Sequence, residues 1–185
     1  MFDFSNVDVQ QGFEQKYLSP GNNVVTFTEI TSGLSSQKQS PYVKITVTGD
    51  KGMTCSTDFY LNEGAFNISA NTFFKYIAYA NGLDLATDEG KIKGMLAGVT
   101  SPEQLSNKLS SLLVGKSLAM IIKGEWVNPS DLEKKSWVKS VLSNLVTKSS
   151  DVSKLSYDAV KHTKGNMDIR KANGNMTTTA VNWGS

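Results

Sequence analysis

The 185-residue sequence predicts a mainly β domain: five antiparallel strands, a helical insertion between the third and fourth, and a flexible C-terminal tail. Three observations predict it. YVKITVT, Tyr42 to Thr48, alternates apolar and polar residues with the period of two of a half-buried strand. The short turn Gly49-Asp50-Lys51-Gly52 joins it to a second alternating stretch, Met53 to Leu61, as in an antiparallel hairpin. From Phe66 the apolar spacing lengthens to three and four, and at Leu118 it becomes strand-like again.

Each element follows from local chemistry. Ser19-Pro20-Gly21-Asn22-Asn23 is a turn, and VVTFTEI, Val24 to Ile30, reads as the first strand. The polar, serine-rich residues from Thr31 to Ser40 read as a loop. In the hairpin, Val43, Ile45 and Val47 take one face, while Tyr42, Lys44, Thr46 and Thr48 take the other. On the return strand Met53, Cys55, Thr57, Phe59 and Leu61 oppose Thr54, Ser56, Asp58 and Tyr60. Phe66, Ala70, Phe73 or Phe74, and Ile77 predict a helix that ends at Asn81-Gly82. Leu83 to Thr100 reads as a glycine-punctuated acidic loop. Ser101-Pro102 starts a second helix with Leu105, Leu109, Leu112 and Leu113 on its apolar side, closed by Gly115. LAMIIKGEW, Leu118 to Trp126, is the fourth strand, and after a polar excursion to about Ser136, WVKSVLSNLV reads as the fifth. The expected organisation is an N-terminal arm at 1–19, a domain at 20–162 with its helical insertion at about 66–113, and a mobile tail at 163–185.

The formal charge of +2 is too small to name a partner. Its distribution is uneven, because lysines outnumber carboxylates from Leu132 to Lys164 and the tail adds Arg170 and Lys171 against Asp168. Cys55 is the single cysteine, so an intramolecular disulfide is impossible, and it reads as a small core residue. The N-terminus lacks a basic segment followed by an apolar run, and no stretch approaches 18 apolar residues, so a soluble intracellular protein without membrane contact is expected.

Catalytic patterns are weak. His162 is the only histidine, which leaves a metal or triad site dependent on distant partners. Asp84, Asp88 and Glu89 are carboxylates in a loop-like segment, read as solvated in preference to ion-binding. Gly115-Lys116-Ser117 resembles the end of a phosphate-binding loop, but SSLLV precedes it and the element order is helix, loop, strand, the reverse of what that loop requires. No catalytic residue, metal or cofactor is expected, and an enzyme is disfavoured.

Binding is better supported. Single strands of nucleic acid are held by aromatic faces that stack on bases and by cations that follow phosphates. The candidates are Tyr42 beside Lys44, Tyr60, Lys123 with Trp126, and Trp137 beside Lys139. Tyr42 and Tyr60 lie opposite the apolar stripes, whereas Phe59 has the parity of the core. Trp126 shares parity with Leu118, Met120 and Ile122, which favours burial slightly over stacking, and Trp137 fits either role. On a curved barrel the outward residues of the second and third strands would converge on one groove, as in oligonucleotide-binding (OB) barrels.

The ordered phrases YLSPGNNVVTFTEI, SPYVKITVTGDKG, STDFYLNEGA, LLVGKSLAMIIKGEW and SWVKSVLSN resemble the single-stranded DNA-binding proteins of tailed bacteriophages, from about Tyr17 to Asn144. That resemblance implies a five-stranded OB-like barrel that coats and protects single-stranded DNA in phage replication and recombination, in the cytoplasm of the infected host. It implies a DNA-facing hairpin carrying Tyr42, Lys44 and Tyr60, with Trp126 and Trp137 lining the other side. Replication or recombination proteins are further candidate partners, although the tail is slightly basic where that family often ends acidic. The alternative is a structural or protein-interaction barrel, such as a virion accessory protein, with its aromatics inside an interface. Oligomeric state is not legible.

Overall fold

Alternation decides the first half of the chain. In the computed structural model, which describes residues 17–127 and 137–164 and the side chains of 17–125 and 138–164, Val43, Ile45 and Val47 are fully buried on strand β2 (Pro41–Thr48). β3 (Thr54–Tyr60) pairs with it antiparallel across a short 3-10 turn at Asp50–Gly52. The first strand is longer than its apolar core suggests: β1 runs Gly21–Leu34, through what reads from sequence as loop. Pairing with β2 extends it, because Thr31, Ser32, Gly33 and Leu34 continue the ladder opposite Lys44, Val43, Tyr42 and Pro41. A bulge between Phe27 and Glu29 shifts the parity, so Val25, Phe27 and Ile30 all reach the core.

Helix α1 (Glu63–Ala80) starts where the Asn62 side chain accepts the Ala65 N–H and ends at Asn81, before Gly82 at φ +68°. α3 (Pro102–Leu113) starts at Ser101, whose hydroxyl accepts the Gln104 N–H while the Gln104 side chain reaches back to Thr100. Between them lies α2 (Glu89–Met95), in a segment read from sequence as loop; Gly90 and Gly94 obscure its period, and burial of Ile92 holds it in place. β4 (Ser117–Val127) is followed by β5 (Trp137–Val141), β6 (Val146–Thr147), a 3-10 stretch at Ser149–Lys154, α4 (Ala159–His162) and β7 (Thr163–Lys164). The stretch read as one fifth strand is therefore divided, with Leu142 to Leu145 between β5 and β6.

The sheet order is β3-β2-β1-β4-β5, with β6 and β7 also paired to β4. The expected mainly β, five-stranded OB-like barrel is not formed: this is an open seven-stranded sheet, and helix is about as abundant as strand among the described residues. Two physical causes overturn the expectation. First, the helices are not an appendage, since Phe73, Tyr76, Ile77, Ile92, Leu105, Leu109 and Leu113 form one core cluster with the sheet residues Phe27, Ile45, Leu118 and Met120. Second, β3 and β5 approach each other without a backbone ladder. Leu142 N–H donates to the Thr57 hydroxyl (2.8 Å), and Tyr17 and Leu18 occupy the edge of β3 at Thr54.

Among the described residues no helix is long and apolar enough to cross a membrane. The expected N-terminal arm before Tyr17, the polar excursion before β5, the tail beyond Lys164 and Trp183 lie outside the described residues. If α3 is part of the core, Leu109→Ala is expected to cost about 2–5 kcal/mol in urea unfolding. A loss below about 0.5 kcal/mol, typical of surface sites, would contradict that packing.

Candidate nucleic-acid interface

The outward face of β1, β2 and β3 is set by register. Tyr42 stands directly opposite Tyr60, their rings edge to face with centroids 6.1 Å apart. On its other side Tyr42 crosses Gly33 of β1, where an added Cβ would lie 2.6 Å from the Tyr42 hydroxyl. Glycine at that position lets the ring lie flat across the neighbouring strand. Tyr60 is 40% exposed and Tyr42 half-buried, so this pair offers a small aromatic surface to solvent.

Two residues along β2, about 7 Å away, Lys44 is exposed opposite Asp58. Beyond it the face is hydroxyl-rich: Thr46 and Ser56 hydrogen-bond at 2.9 Å, and Thr26 with Ser117 at 2.7 Å. Lys44 also lines a cleft of about 630 Å³ at the seam between β3 and β5, with Tyr17, Leu18, Ser19, Pro20, Thr54, Cys55, Ser56, Val138, Lys139 and Ser140. Lys44 and Lys139 thus share one concavity, with no carboxylate among its described lining residues. The ion pairs found among the described residues lie elsewhere, at Lys93–Glu89, Lys154–Asp151 and Lys161–Asp158, while each cleft lysine has a carboxylate across the strand from it, Asp58 opposite Lys44 and Glu125 opposite Lys139. Tyr17, 75% exposed, stands at the cleft and carries no signal in the sequence beyond preceding a turn.

The remaining sequence candidates are placed differently. Lys123 is half-buried on β4 opposite Val141, outside the cleft lining. Trp126 pairs with Val138 and Trp137 with Val127 by backbone register, while their side chains lie outside the described residues. His162 accepts the Asp158 N–H at Nδ1 and packs against the Tyr157 ring. The acidic segment is used locally. Asp84 accepts the Ala86 and Thr87 N–H groups, which hold its carboxyl below the usual range, Asp88 accepts the Asp84 N–H, and Glu89 pairs with Lys93. No group of three metal-ligating residues occurs among the described residues.

Cys55, 4% exposed, floors the cleft. Burial pushes its thiol up to about 12, with the Lys139 charge acting in the opposite direction. The folded chain thus keeps a proton that the unfolded chain releases near its usual value of about 8.5. Its contribution to stability is present below that pH and is lost between there and about 12.

The chain matches no family model and no curated protein. The open sheet and the helices in its core overturn the resemblance to the phage single-stranded DNA-binding barrels and, with it, the OB-fold, phage, replication and recombination assignments. Cys55 is expected to resist a thiol reagent at pH 8 in the native protein and to react on unfolding. Stoichiometric reaction within seconds under native conditions would show that the cleft floor is open.

Proposed function

We propose that this protein binds single-stranded nucleic acid, largely without regard to sequence and without transforming it, along the outward face of β2 and β3. The observation that carries this reading is the alignment of the solvent-facing Tyr42–Tyr60 pair with Lys44 and the cleft that Lys44 shares with Lys139. Aromatic faces take bases of any sequence because every base has a π-face, and the lysines take the phosphates. A body of +2 charge supplies little long-range attraction, so affinity rests on these local contacts. The proposed ligand implies a cytoplasmic location.

A second reading is favoured by one observation. Leu34 (59% exposed), Phe66 (48%) and Ile68 (69%) lie on the elements that meet at the Tyr60 end of the sheet. We propose for that end a protein contact, in which these side chains are buried against a partner.

Titration with oligo-dT at two salt concentrations tests the first reading. Saturable binding is expected, with log K falling by about 0.7 per phosphate neutralised for each unit of log salt. Tyr60→Ala is expected to weaken it by about 1–3 kcal/mol, the contribution of one stacked base. Absence of binding at micromolar protein, or an unchanged affinity in Tyr60→Ala, would reject it. For the second reading, light scattering is expected to show an oligomer that Phe66→Ser with Ile68→Ser dissociates. A monomer throughout would count against self-association at that end.

A further inference from the structure

The seam cleft differs from the open face beside it in being closed at both ends along β3. At one end Tyr17 bridges Thr54, and Leu18 N–H donates to the Thr54 carbonyl (2.9 Å). At the other, Leu142 N–H bonds the Thr57 hydroxyl across the seam (2.8 Å). Leu18 and Cys55, 1% and 4% exposed, lie beneath. These contacts bound the cleft on β3 at Thr54 and at Thr57, the two places where a strand running along the seam would meet protein backbone. The volume of about 630 Å³ falls within the roughly 300–1,000 Å³ range of small-ligand sites.

The polar groups specify the kind of end. Gly49 N–H bonds the Met53 carbonyl and Leu61 N–H the Pro41 carbonyl, so odd-numbered residues of the return strand face β2. By the alternation of an antiparallel ladder the even-numbered ones face away. The Thr54 carbonyl takes Leu18 and the Tyr60 carbonyl takes the Ser69 hydroxyl, both from outside the hairpin, in agreement with that phase. The Ser56 N–H is thereby turned toward the seam, beside Lys44, Lys139 and Ser140. Two lysines and a main-chain donor, with Asp58 and Glu125 across the strands but not among the described lining residues, match a phosphate monoester, which carries about −1.5 to −2 at neutral pH, better than a diester with its single charge.

Resting on the nucleic-acid reading above, we propose that this cleft seats the terminal phosphomonoester of a bound single strand. The strand lies over Tyr42 and Tyr60, passes Lys44, and ends between Ser56 and Lys139.

The test compares dT octamers carrying a 5′-phosphate, a 3′-phosphate or neither, each competing against an internally labelled longer dT strand. One phosphorylated octamer is expected to bind about fivefold tighter than the unphosphorylated one, the gain from one additional close charge in water. Which of the two it is reports the polarity of the strand. The advantage is expected to vanish in Lys139→Ala and in Lys44→Ala, and to persist in Tyr60→Ala as overall affinity falls. Thermal melting of the lysine variants checks that they fold. Equal binding of all three octamers, or an advantage that survives both lysine substitutions, overturns the terminal seat and leaves the nucleic-acid reading standing. Failure of every octamer and of the longer strand to bind overturns both.

Discussion

The architecture turns on the buried phenol of Tyr76. Its ring lies 5.4 Å from Phe27 of β1 and 6.2 Å from Phe59 of β3, and its hydroxyl donates to the Ser143 carbonyl at 2.8 Å. One side chain from α1 therefore joins three parts of the sheet, including the β5–β6 connection. Full burial holds the phenol in its neutral, donating form, with its pKa well above the usual value. Were this bond absent, the Ser143 carbonyl would be left buried without that donor, at a cost of about 1–3 kcal/mol.

The seam follows from the same constraint. Leu142 to Leu145 are held by Tyr76, by the Thr57 hydroxyl and by the Ser143 hydroxyl, which donates to the Ile121 carbonyl. Those backbone groups are thereby kept from laddering with β3. β5 stops at Val141, and the gap between it and the hairpin is lined from both sides by lysine and serine. The candidate interface is the unclosed part of a sheet whose closure is replaced by side-chain bonds and a helical core.

Some of this was legible in the residues. Alternation in YVKITVT assigned Val43, Ile45 and Val47 inward and Tyr42 and Lys44 outward, and the structure has them so. Ser101-Pro102 and Asn81-Gly82 marked helix ends because capping bonds span only a few residues. The extension of β1 to Leu34 was not legible, since polar residues there are kept in a strand by the partner β2 and not by burial of their own side chains. Nor was α2, in which a single buried isoleucine between two glycines has no periodic signature.

By itself, the sequence determined the faces of the hairpin, the C-terminal end of α1, the capped start of α3, and that no intramolecular disulfide can form, because each depends on residues adjacent in the chain or on simple composition. Only the tertiary structure decided that the sheet stays open, that the helices share its core, and that Lys44 meets Lys139. These depend on contacts between distant segments, such as Tyr76 with Ser143 and Thr57 with Leu142, whose partners no local pattern specifies. Helical period announces an apolar face, but what that face packs against is settled by the whole chain at once.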